Sequence, residues 1–146
     1  MADEGEISSD EVILRRVKSE DPNCVQPLLS GGQRATSFAI SNPPQQVGSS
    51  CSRLCLTSPR KLLDLVRHKQ MNPADFLVCR MRVGDVRAVG LDVIALSTDK
   101  DPGHCEIRAT SQQSFSRKIW SRLAKKTRIL TSEEVQQLEA GDALSE

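Results

Sequence analysis

Apolar and polar side chains alternate along Glu11 to Lys18, with Val12, Leu14 and Arg16 on one face and Ile13, Arg15 and Val17 on the other. That two-residue period and the β-branched content predict a strand, which Asp21-Pro22-Asn23 ends. Arg34 to Ser41 repeats the alternation and predicts a second short strand, stopped at Asn42-Pro43-Pro44 because neither proline can donate to a ladder. Ser52 to Leu56 reads as a further brief strand at a sheet edge.

The period then changes. Leu62, Leu63, Leu65 and Val66 recur at helical spacing behind Ser58-Pro59, a residue pair suited to cap and begin a helix. Arg67, His68 and Lys69 fall in its last turn, where positive charge complements the helix dipole. Phe76 to Arg82 returns to alternation, with Phe76, Val78, Arg80 and Arg82 opposed to Leu77, Cys79, Met81 and Val83. Either Gly84-Asp85 caps a single helical turn, Val86 to Val89, or Val83 to Asp85 is a tight hairpin turn in a meander, and periodicity does not choose between them. Leu91 to Ser97 and His104 to Ala109 predict two more strands, separated by Asp101-Pro102-Gly103.

Ser114 to Lys126 places Phe115, Ile119, Trp120, Leu123 and Ala124 on one half of a helix, with Arg117, Lys118, Arg122 and Lys125 on the other. Thr127 to Leu130 is a short extended piece. Thr131 with Glu134 is a capping-box pattern for a last helix, Ser132 to Ala140, ended by Gly141. The mixture predicts an α+β class: a small, mostly antiparallel or mixed sheet flanked by two or three helices in a single compact domain. Residues 1–10 are expected to be a disordered acidic tail, 11–141 the domain, and 142–146 a flexible end.

A chain of 146 residues is the size of one domain, and with three Phe, one Trp and no Tyr its core must be aliphatic. The same scarcity argues against a fold that grips single strands through stacked rings. Net charge is +1, but it is unevenly spread. Asp3, Glu4, Glu6, Asp10 and Glu11 make the start acidic, whereas Arg108 to Arg128 holds seven basic residues and no acid. The acidic N-terminus is unlike a secretory or transit peptide, and the apolar runs are far short of the ~20 residues that span a bilayer. With an odd number of cysteines, five, the expectation is a cytoplasmic protein with reduced thiols and no membrane contact.

Candidate chemistry is sparse. His104 follows a turn and shares a strand face with Glu106, close enough for the carboxylate to favour a charged imidazole; otherwise it is a surface histidine. Cys51 and Cys55 have a spacing seen in zinc sites, but no second pair accompanies them, so the cysteines read as small apolar fillers, and neither metal nor cofactor is expected. Arg15, Arg16, Arg80 and Arg82 on sheet strands either face solvent or line a groove for carboxylate or phosphate. The basic helix offers a solvated face or a docking surface formed by Arg117, Lys118, Arg122, Lys125 and Lys126.

Leu14-Arg15-Arg16-Val17, Thr36-Ser37-Phe38, Val83 to Leu91 and Asp101-Pro102-Gly103-His104, in that order, resemble a family of small uncharacterised bacterial proteins over roughly Val12 to Ala124. The resemblance implies a compact bacterial domain, attaches no activity to it, and draws attention to Arg15, Arg16, Ser37 and His104. The order of an early arginine, a Ser-Phe and a later glutamate is also similar to ADP-ribosyltransferase-like toxins, which would make Glu106 the acid and Arg15 or Arg16 the phosphate-binding residue. The expectation from sequence is a non-catalytic binding or accessory module. It would dock a protein or nucleic-acid partner through the cationic helix and sheet arginines, with a small anion as a further ligand. The alternative is a small enzyme acting on an anionic nucleotide-type substrate through Arg15 or Arg16, Ser37, His104 and Glu106.

Overall fold

The computed structural model describes residues 7–19, 24–28, 31–36, 39–40, 49–109 and 117–141. The chain forms a single α+β domain around a six-stranded antiparallel sheet. Its strands are β1 (Val12–Lys18), β4 (Ser49–Arg53), β5 (Phe76–Arg82), β6 (Leu91–Ala95), β7 (His104–Ala109) and β8 (Arg128–Ile129), in the order β6-β7-β4-β1-β5-β8. A separate hairpin pairs β2 (Val25–Pro27) with β3 (Gln33–Ala35). Among the described residues there are four α-helices: α1 (Pro59–Asp64), α2 (Val83–Ala88), α3 (Arg117–Ala124) and α4 (Ser132–Glu139).

Alternation sorts the sheet into two faces. Ile13 and Val17 of β1, Cys79 and Met81 of β5, and Cys105 and Ile107 of β7 enter the larger core, which Val86, Trp120 and Leu123 close from the helices. The opposite face carries a smaller core of Leu14, Leu62, Val78 and Leu130, with Val135 and Leu138 of α4 against it. Apolar burial on both faces is worth roughly 25 cal/mol per Å² removed from water, so the centre of the sheet is the best-held part of the molecule. Local signals fix the helices. Ser58 caps α1 with Pro59 in the first turn, and Thr131 and Glu134 form the reciprocal capping box of α4. The region after β5 is a helical turn, α2, rather than a hairpin.

Three elements depart from the sequence pattern. Ala39 and Ile40 are helical instead of extended, because the Thr36 hydroxyl accepts the Ala39 amide at 3.2 Å while Ile40 N reaches Thr36 O. The strand expected at an edge from Ser52 is β4, which starts at Ser49 and lies between β7 and β1. Its Ser49, Ser52 and Arg53 are buried although polar, so hydropathy hides a central strand. Ile7 to Asp10, read as tail, are packed on the domain: Ile7 is buried, Arg87 donates to its carbonyl at 2.7 Å, and Gly84 N donates to Ser9 O at 2.9 Å.

Candidate functional site

The register places one row of side chains across the smaller-core face. His104 of β7 lies opposite Ser52 of β4, Ser52 opposite Leu14 of β1, Leu14 opposite Arg80 of β5, and Arg80 opposite Arg128 of β8. Neighbouring strands are ~4.8 Å apart, so His104 and Arg80 are separated by roughly 14 Å, with Leu14 and its apolar neighbours between them. The four sheet arginines of the sequence reading therefore do not share one site with His104. Arg80 and Arg82 sit at the far end of the row, and Arg16 lies on the histidine side.

A cleft of about 490 Å³ occupies that side. Its floor is Leu14 to Arg16 of β1, Ser50 to Ser52 of β4 and His104. Leu62, Leu65, Met71 and Phe76 make an apolar wall, and Thr98, Lys100 and Asp101 make a polar one. A cleft of this size with one apolar wall and a few convergent polar groups has the usual form of a small-ligand site. The cleft exists because the β1–β4 ladder stops early: only Ile13 with Arg53 and Leu14 with Ser52 are paired.

Arg15 and Arg16 then point to opposite faces. Arg15 Nη1 donates to Ser50 O at 2.6 Å and its Nε to Ala39 O at 2.9 Å, so this guanidinium ties β1 to its surroundings. Arg16 donates through Nη1 to Leu62 O at 2.8 Å, a carbonyl in the last turn of α1, and forms no ion pair among the described residues. Burial, then the adjacent Arg15, lowers the Arg16 pKa from 12.5, yet an arginine stays charged at neutral pH. One hydrogen bond leaves four of its five N–H groups for water or a ligand.

The polar wall is built by a self-bonded turn. Asp101 O accepts from Thr98 N and His104 N, both at 3.0 Å, while Asp101 N donates to Thr98 Oγ1 at 3.0 Å. The Asp101 carboxylate is buried, accepting the Ser52 hydroxyl on one oxygen and Gly103 N at 3.2 Å on the other. It is therefore engaged in holding the turn. His104 is half-buried beside it, and Lys100 is exposed at the mouth.

Glu106 shares the face of His104, but its Oε1 lies 3.0 Å from Arg108 Nη2 and it does not line the cleft. No hydrogen bond joins His104 to Glu106 among the described residues, and Glu106 is outside the lining of the cleft that holds Arg16. Ser37 lies outside the described residues. Lys118, Arg122, Lys125 and Lys126 are exposed on and just after α3, whose Trp120, Leu123 and Ala124 are buried; the Arg117 side chain is outside the described ones. This cationic surface forms no part of the cleft. Cys51 is buried and Cys55 exposed, and among the described residues no group of three or more His, Cys, Asp or Glu is placed to hold a metal ion.

Sequence reasoning passed over Ser52, Lys100 and the Asp101 carboxylate. A threonine three residues before Asp-Pro-Gly was the available signal that the turn would be held by side-chain bonds. Comparison with protein-family models, curated proteins and solved structures gave no match. Among the described residues no helix is long and apolar enough to cross a membrane.

Proposed function

We propose that the chain is a non-catalytic binding module whose cleft takes a small carboxylate or phosphate attached to an apolar group. The observation that carries this reading is Arg16: a guanidinium held in place by one backbone carbonyl, with no ion pair among the described residues and Asp101 attracting it only from a distance, on the floor of a cleft with an apolar wall. A planar fork of donors in partly dehydrated surroundings is suited to bidentate capture of an oxyanion. Lys100 from the polar wall and His104 from the floor add cationic or hydrogen-bonding groups, and Met71, 41% exposed at the rim, offers apolar surface for the rest of the ligand to cover. Binding is favoured over catalysis because Asp101, the carboxylate in the lining, already accepts from Ser52 and Gly103, and Glu106 is paired with Arg108.

The test is thermal shift and calorimetry with phenyl phosphate, hexanoate, inorganic phosphate and neutral benzyl alcohol at millimolar concentration. Phenyl phosphate or hexanoate should raise the melting temperature of the protein, benzyl alcohol should not, and Arg16→Gln should remove the effect. Absence of any shift with both amphipathic anions, or a shift that survives Arg16→Gln, rejects the reading.

A further inference from the structure

The far end of the same cross-strand row carries a second cationic site, in which basic side chains outnumber acidic ones. Arg80 and Arg128 are direct cross-strand partners, and Arg82 follows two residues on, on the same face. With Lys126, they line a hollow of about 220 Å³ in which Asp85 is the one carboxylate. Like charges placed directly opposite one another destabilise a sheet, so the arrangement is a local cost to folding. Nearby acids do not offset it fully. Glu134 accepts the Thr131 amide within its capping box and approaches Arg128 only to 3.7 Å. The Arg80 side chain, half-buried, donates no hydrogen bond and forms no ion pair among the described residues, and Glu134 attracts it only from a distance. Burial, and secondarily the charge of Arg128, lowers its pKa from 12.5.

This hollow does not end at its rim. Lys126, one of its lining residues, is the second residue past the end of α3, so the cluster leads onto the exposed Lys125, Arg122 and Lys118. Cations of the smaller-core face and of α3, whose Trp120 packs in the larger core, thus make a band that bends round the β8 edge of the sheet.

The geometry points to this band as a docking surface for the phosphate backbone of a nucleic-acid duplex, bound without reading its sequence. Charge complementarity selects a polyanion, and the spacing of several cations along a band suits successive phosphates better than one isolated anion. Among the described residues the band offers no aromatic platform for an unpaired base. Of the aromatic side chains described, Trp120 is buried beneath α3, and Phe76 lies at the opposite end of β5, six residues or about 20 Å from Arg82. Stacking platforms, which would favour single strands, are absent from the band among the described residues.

Binding is to be measured by fluorescence anisotropy with two helical turns of labelled duplex DNA of arbitrary sequence, across a salt series. The wild-type chain should bind weakly, and the logarithm of affinity should fall against the logarithm of salt concentration with a slope of about −3, as for three or four phosphate contacts. Arg82→Gln with Lys126→Gln and Arg128→Gln should lower affinity on the order of 100-fold and flatten that slope. The exposed pair Lys125→Gln and Lys126→Gln, which removes no ion pair, should give a smaller loss in the same direction. Arg16→Gln should bind DNA as the wild type does, separating this surface from the cleft. No duplex binding at low salt overturns the proposal. So does unchanged affinity in the folded triple variant, tighter binding to a single strand than to duplex, or retention on phosphatidylserine vesicles without any on DNA.

Discussion

Glu11 and Arg53 form a two-point clasp, with Arg53 Nε 2.8 Å from Glu11 Oε1 and Nη2 2.9 Å from Oε2, and their side chains are only 17% and 6% exposed. Glu11 Oε2 also accepts the Ser8 amide at 3.0 Å, so a single carboxylate joins the N-terminal segment to the middle of the sheet.

Glu11→Gln should therefore destabilise the domain by about 2 kcal/mol, the usual cost of losing hydrogen bonds to a charged, partly buried group. The Arg53 hydrogen bonds hold the Glu11 carboxyl below its ordinary value of 4.5. Because the folded state binds this proton less tightly than the unfolded chain, the contribution is fully present above pH ~4.5 and is lost as pH falls through the depressed folded value. Urea unfolding at pH 7 and at pH 3 checks both: the difference between wild type and variant should shrink at the lower pH.

Ser52→Ala should leave one oxygen of the buried Asp101 carboxylate without its hydroxyl donor, costing about 1–3 kcal/mol. Asp101→Asn in the same background should recover part of that loss, since a neutral amide is less costly to bury than a carboxylate with a missing partner. A double-mutant cycle by chemical denaturation measures the coupling.

A methyl group added at Gly103 would lie 3.0 Å from Arg53 O and 3.1 Å from Leu56 Cβ. Those contacts require the turn to move away from β4, where Arg53 N now donates to Gly103 O at 2.8 Å. Gly103→Ala should cost about 1–3 kcal/mol and weaken phenyl phosphate binding by displacing His104 and Asp101. Loss of stability with binding unchanged would show that the turn does not shape the cleft.

The thiols give a test of the larger core. Cys24, Cys51, Cys79 and Cys105 are buried and Cys55 is exposed, so a thiol reagent should modify one cysteine in the native state and five after denaturation. Burial pushes the thiols of Cys51 and Cys79 up to about 11 and about 12, and that of Cys105 up as well. Folded pKa values above the ordinary 9.0 mean that the unfolded chain releases these protons first. Stability should thus hold below pH ~9 and decline as pH rises further, and Cys79→Ser should soften the decline. Denaturant midpoints measured from pH 7 to pH 10.5 check the direction.

Within single elements, much of this fold was legible. The alternation in β1 and β5 assigned Arg15 and Arg16 to opposite faces, and the Ser58-Pro59 and Thr131–Glu134 patterns located two helix starts, because strand pleat and helix caps are set by adjacent residues. Lateral relationships were not legible. Nothing local to Arg80 says that Leu14 and Ser52 stand between it and His104, since strand order follows from pairing across the whole chain. Polar burial was hidden for a related reason: Ser52 and Arg53 look like surface residues until Asp101 and Glu11, far away in sequence, supply their partners.

The short seam between β1 and β4 divides the sheet into a β6-β7-β4 half and a β1-β5-β8 half that share two ladder pairs, reinforced by the Arg15 bridge to Ser50 and the Glu11–Arg53 clasp. Arg16 belongs to one half and His104 to the other. Anything that grips both residues works as a staple across the joint, so occupancy would be felt as stiffness. Amide hydrogen exchange along β4 should slow when the cleft is filled, even where no strand changes its position.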